Sequence, residues 1–152
     1  MLRFHVDVDA GTLTWKAGRK LAGKLAGAVE LHGYRQVLVG RKYFKVHRII
    51  WFMAHGRWPK ELDHINGDRS DNRLKNLRKV TRFQNVANSK LRSTNRSGVK
   101  GAWWDKERGK WMSQIEHRGY TTSLGRFETK EAAHAAYRKA ALRLHGEFAR
   151  FN

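Results

Sequence analysis

The chain has 152 residues, 40% hydrophobic and 11% aromatic, enough for one ordinary folded domain or two small ones. Its net charge of +19 points to a polyanionic partner, and no apolar run approaches the ~18 residues that a membrane span requires. The absence of cysteine excludes disulfides, thiolate metal sites and cysteine nucleophiles, leaving His, Asp, Glu and Asn as the chemical groups.

FHVDV and TLTW alternate across an Asp9-Ala10-Gly11 turn and predict an N-terminal hairpin. The Lys- and Gly-rich stretch from Lys16 to Gly27 is expected to be a basic loop. GYRQVLVG and YFKVHR predict two strands around Gly40-Arg41-Lys42, followed by a helix whose apolar face carries Ile49, Ile50, Phe52 and Met53. Gly56 and Trp58-Pro59 end that helix. His47, at its start, is expected to be a hydrogen-bonded structural histidine, with a phosphate contact as the alternative. No charged and apolar leader opens the chain, so a cytoplasmic location is expected.

The stretch from Leu62 to Asn85, LDHINGDRSDNRLKNLRKVTRFQN, holds the one constellation suited to breaking bonds. Its expected order is strand, polar loop, strand, helix. Thr81 and Gln84 have capping-box spacing, which starts the helix at about Arg82 and places Asn85 in its first turns. Hydrolysis of a phosphodiester requires an activated water, neutralisation of charge at the phosphoryl group and stabilisation of the leaving oxygen. His64 is the candidate general base, because an imidazole with a pKa of about 6.5 offers a neutral form near pH 7. The Asp63 carboxylate and the Asn85 carbonyl are candidate ligands of a divalent ion, magnesium or manganese. Asn76 is assigned to holding the loop that orients His64. Adjacent strand residues point to opposite faces, so Asp63 and His64 can serve one site only if the strand ends, bulges or is straddled by the substrate, and an irregular backbone is expected there. Asn66, Asp68 and Ser70 alternate like a calcium loop, but Asp71 and Leu77 stand where that loop needs Gly and Glu.

NSKLRSTNRSG, from Asn88 to Gly98, is predicted to be a basic linker. Lys90, Arg92 and Arg96 would lie along DNA and order on binding. Three short alternating segments and a long helix follow. Thr129 is the N-cap, Glu131 lies in the first turn, and Ala133, Ala136, Tyr137, Ala140 and Leu144 form the apolar face up to Gly146.

VHRIIWFMAHGRWP, followed by DHINGDRSDNR, NLRKVT and QN, resembles phage-type HNH homing endonucleases, with Asn at the third motif position. The resemblance implies a ββα-metal fold in which Asp63 and Asn85 hold the metal, His64 is the general base and Asn76 is the central structural asparagine. SGVKGAWWDKERGKWMSQI and SLGRFETKEAAHAAYRKAALRLHGEFA are similar to the DNA-binding domain of plant APETALA and ethylene-response factors. That likeness implies one sheet face on double-stranded DNA, carrying Lys100, Trp104, Lys110, Met112, Gln114, Thr121 and Ser123. Val99, Trp111 and Ile115 would then face the helix. Glu116, Ala102 and Ser123 depart from the plant pattern, so its sequence preference does not transfer.

The expected fold is α+β: a ββα-metal nuclease domain with N-terminal strands over residues 1–88, a linker over 89–97, and a three-stranded antiparallel sheet on one helix over 98–152. The expected activity is metal-dependent cleavage of double-stranded DNA to 5′-phosphate and 3′-hydroxyl ends. No membrane and no protein partner is implied. The alternative is a non-catalytic, sequence-specific DNA-binding regulator.

Overall fold

Apolar residues at every second position give Phe4, Val6 and Leu13 a common face. The computed structural model, which describes residues 3–16 and 20–151, pairs them in an antiparallel hairpin of β1 (Phe4–Asp7) and β2 (Thr12–Trp15). The Asp7 carboxylate closes the turn by accepting from the amides of Asp9 and Ala10. Of the expected basic loop, Ala17 to Arg19 lie outside the described residues. The remainder is tied down where Leu25 bridges Thr14 and Ala26 is fully buried.

A second sheet runs in the order β3 (Ala28–Val29), β4 (Arg35–Val39), β5 (Lys42–Lys45) and leads straight into α1 (Val46–His55). The buried stripe of α1 is Val46, His47, Ile49 and Ile50, which corrects the expected one. Entry from β5 turns the first residues of α1 onto the core, leaving Met53 43% exposed and Phe52 stacked on Trp58. Phe4, Leu13, Ala26, Val37, Val46, Ile49, Ile50 and Leu77 form one core cluster. β6 (Leu62–His64) pairs antiparallel with β7 (Leu77–Lys79), which follows a 3-10 turn over Leu74–Asn76. The pairing is regular through His64 and stops there, so the expected irregularity is a strand end, not a bulge.

The chain forms two compact units, Met1–Val80 and Thr81–Asn152. The second opens with α2 (Arg82–Ala87), where Thr81 Oγ1 accepts from the Gln84 amide and the Gln84 side chain accepts from the Thr81 amide, as the capping-box spacing predicts. The stretch between α2 and the next strand has neither helix nor strand. It is folded on itself by Asn95, whose carboxamide bonds the Gly98 amide and the Val99 carbonyl. β8 (Ala102–Asp105), β9 (Lys110–His117) and β10 (Tyr120–Phe127) form an antiparallel sheet with β9 at its centre.

Helix α3 (Lys130–His145) covers one face of that sheet and is capped by Thr129, as predicted. It buries Ala133, Tyr137, Ala140 and Ala141. Alanines allow close approach of helix and sheet, and Gly101 carries this furthest: a Cβ there, at φ +72°, would enter the Tyr137 ring. The unit is thus a three-stranded sheet on one helix, with Ile115, Tyr137, Ala140 and Ala141 at its centre.

Candidate active site

In β6, Leu62, Asp63 and His64 are all buried although neighbours face opposite ways, so protein covers both faces of the strand. On one side, the antiparallel register sets Asp63 across from Arg78 of β7. The Arg78 Nε and NH2 groups both lie 3.0 Å from Asp63 Oδ2. The pair is secluded, with side chains 14% and 9% exposed.

The His64 imidazole is held from the polar loop that follows β6. Its Nε2 lies 3.2 Å from Oδ1 of Asn72, itself fully buried. The Asn72 amide nitrogen donates to the Ser70 carbonyl at 3.2 Å, which turns the amide oxygen toward His64. A carbonyl oxygen only accepts, so Nε2 carries the ring proton and Nδ1 carries the lone pair. Burial pushes the imidazole below its ordinary range, opposed by the Asn72 hydrogen bond and by the Asp63, Asp68 and Asp71 carboxylates. The neutral, basic form is thereby favoured.

Around this ring sit groups that the sequence did not single out for chemistry. His47 packs edge-on to His64, with ring centroids 4.9 Å apart, and Tyr34 lies 6.0 Å from His64. His47 is buried, and its Nδ1 has no hydrogen-bond partner among the described residues, so the expected hydrogen-bonded structural histidine is a packed one instead. Burial first, then the charges of His64, Lys45 and Arg48, push it down to about 3. Lys45 Nζ stands 3.7 Å from the Tyr34 ring centroid and the Arg69 guanidinium 4.8 Å, so the ring beside His64 carries two cations.

The loop itself is braced by Asn76. Its Oδ1 accepts from the Asn66 amide at 3.1 Å, and its Nδ2 donates to Asn66 Oδ1 at 3.0 Å and to the Asp71 carbonyl at 2.8 Å. From outside, Gly11 of the N-terminal hairpin lies against the backbone of Asn72 and Arg73, and Leu74 donates to the Val8 carbonyl at 2.9 Å. The hairpin therefore fixes the loop segment that carries Asn72.

Asn85 lies half-buried on α2 in the second unit. The buried carboxylate of Asp63 is a hard oxygen donor of the kind that magnesium or manganese takes, and so is an Asn carbonyl such as that of Asn85. No group of three or more His, Cys, Asp or Glu among the described residues could hold a metal.

The strand register of the second unit sorts its side chains. Asp105 pairs with Lys110, Trp103 with Met112, Ser123 with Gln114 and Thr121 with Glu116, so these share the face away from α3. Trp104 pairs with Trp111 and lies on the other face with Ile115; the residue of β8 beside Lys110, Gln114, Thr121 and Ser123 is Trp103. This corrects the face expected for Trp104. Lys110 is paired with Glu128. Lys100 and Val99 precede the strand, and Lys100 Nζ donates to the carbonyls of Ala87 at 3.1 Å and Ser89 at 2.6 Å, closing the C-terminal end of α2. Lys90, Arg92 and Arg96 are exposed between α2 and β8.

Residues 44–87 match the HNH endonuclease family. Protein 3.8 of Escherichia phage T7 is 36% identical to this chain over 107 residues, covering 69% of this chain and 88% of that protein. No solved structure matches the chain.

Proposed function

The chain belongs to the HNH endonuclease family, and from that premise we propose that it is a metal-dependent endonuclease of double-stranded DNA. The observation that carries this reading is the buried His64–Asn72 pair beside Asp63: a neutral imidazole with a defined tautomer, next to a carboxylate. His64 Nδ1 takes a proton from water as the water oxygen bonds to phosphorus. The bond from phosphorus to the 3′ oxygen then breaks, and that oxygen leaves as a hydroxyl after protonation by solvent. The products carry 5′-phosphate and 3′-hydroxyl ends.

Asp63 and Asn85 are the proposed ligands of the divalent ion, magnesium or manganese, as in the ββα-metal fold that the sequence resemblance implies. When bound, such an ion neutralises charge on the phosphoryl and leaving oxygens. Asn72 holds the base in its tautomer, Asn76 holds the loop, and Tyr34 and His47 pack beside the ring. DNA is gripped by the sheet face of Trp103, Lys110, Gln114, Thr121 and Ser123, in the manner of the plant factors that this half resembles. Lys90, Arg92 and Arg96 lie along phosphates. Incubation of supercoiled plasmid with the full chain tests the reading: nicking or linearisation with magnesium, absent with chelator and in His64→Ala, is expected. An intact plasmid under all conditions would overturn it.

A further inference from the structure

The Asp63–Arg78 pair bears on when the metal arrives. Both Arg78 nitrogens converge on one carboxylate oxygen, and the pair is shielded from water on adjacent strands. Arginine stays charged at all working pH values, so the pair has no net charge. Asn85, the other proposed ligand, is neutral, and of the two further carboxylates that act on His64, Asp68 and Asp71, the second is itself paired with Arg73. The cations Lys45 and Arg69 stand on the Tyr34 ring, which lies 6.0 Å from the His64 ring. A hard divalent cation is held by anionic oxygen, and here the carboxylate that should supply it is already matched by an arginine.

We propose that Arg78 keeps the metal affinity of the DNA-free protein low, so that the divalent ion and a DNA phosphate enter the Asp63 site together. The inference rests on the proposed endonuclease site. A phosphodiester brings the missing negative charge and oxygen donors, so DNA strengthens metal binding. By linkage, the metal strengthens DNA binding by the same factor. The enzyme then carries its ion only where there is a bond to cut.

Mn2+ titration of the full-length chain, read by electron paramagnetic resonance of the free ion, tests this without any cleavage. Arg78→Met is expected to bind Mn2+ about tenfold more tightly than wild type. Arg78→Lys keeps the charge and is expected to stay near wild type, and Asp63→Asn added to Arg78→Met is expected to remove the gain. In a His64→Ala background, which keeps a DNA duplex intact, saturating duplex is expected to raise Mn2+ affinity about tenfold or more. Unchanged or weaker Mn2+ binding by Arg78→Met, or no response of Mn2+ affinity to duplex, would overturn the proposal. The duplex arm needs no change at Arg78, so it decides even if Arg78→Met melts early. A wild type that behaves as expected toward Mn2+ yet never nicks plasmid would sink the endonuclease reading and leave the coupling of metal to DNA standing.

Discussion

Asn72 accepts a hydrogen bond from His64 Nε2 at 3.2 Å in the buried interior of the first unit, with the amide orientation fixed by its second bond to the Ser70 carbonyl. Asn72→Leu is expected to lower single-turnover cleavage about 10- to 100-fold, by analogy with the loss when a partner that orients a metal-bound imidazole is removed, with DNA affinity unchanged. Asn72→Asp keeps an acceptor and should retain most of the rate. Nitrogen NMR of the His64 ring checks the cause: the Nε2–H tautomer should dominate in wild type and lose its dominance in Asn72→Leu. A wild type in the Nδ1–H form would contradict the assignment.

Gly11, at φ +68°, leaves no room for a Cβ against the backbone of Asn72 and Arg73. Gly11→Ala is expected to cost roughly 1–3 kcal/mol of stability through backbone strain and displacement of that loop. Denaturant unfolding reads the cost. Cleavage should fall with it, since the displaced segment carries Asn72.

His47 gives the first unit a dependence on pH. The native chain keeps the imidazole neutral down to about pH 3. The unfolded chain takes up the proton near its ordinary value of ~6.5. Its contribution is therefore complete above that value and is lost as the pH falls toward 3. Relative to His47→Phe, wild type is expected to lose about 2 kcal/mol of stability between pH 7 and pH 5. Parallel stability curves for the two proteins would contradict the buried neutral state.

Trp103 and Trp104 are neighbours on opposite faces of their sheet. Trp103→Ala removes an exposed aromatic from the proposed DNA face and is expected to weaken duplex binding about tenfold with little change in melting temperature. Trp104→Ala removes the edge contact with Trp111, 5.6 Å between centroids, and is expected to cost on the order of 1 kcal/mol of stability. Fluorescence anisotropy and thermal melting on both variants separate the two effects.

What was legible in the chain was local. The Thr81/Gln84 capping box, the Thr129 cap and the alternation of β1 and β2 each depend on residues a few positions apart, and all form as expected. The types and order of Asp63, His64, Asn76 and Asn85 marked the candidate chemistry for a similar reason. Non-local pairing was not legible. The face of Trp104 depends on which residue of β9 it meets, and the turn over 106–109 sets that; a shift of one residue exchanges the faces. Arg78 and Asn72 gained their importance only when the β6–β7 register and the loop between those strands closed around Asp63 and His64. The packing of His47 likewise needed the entry angle of α1.

The central claim is that His64 is the base of a phosphodiester-cleaving site. Its most direct test is single-turnover cleavage of an end-labelled duplex at saturating protein with magnesium, wild type against His64→Ala, with DNA affinity measured alongside. A loss of about 10²- to 10⁴-fold in rate at unchanged affinity is the predicted result. Equal rates for the two proteins would contradict it.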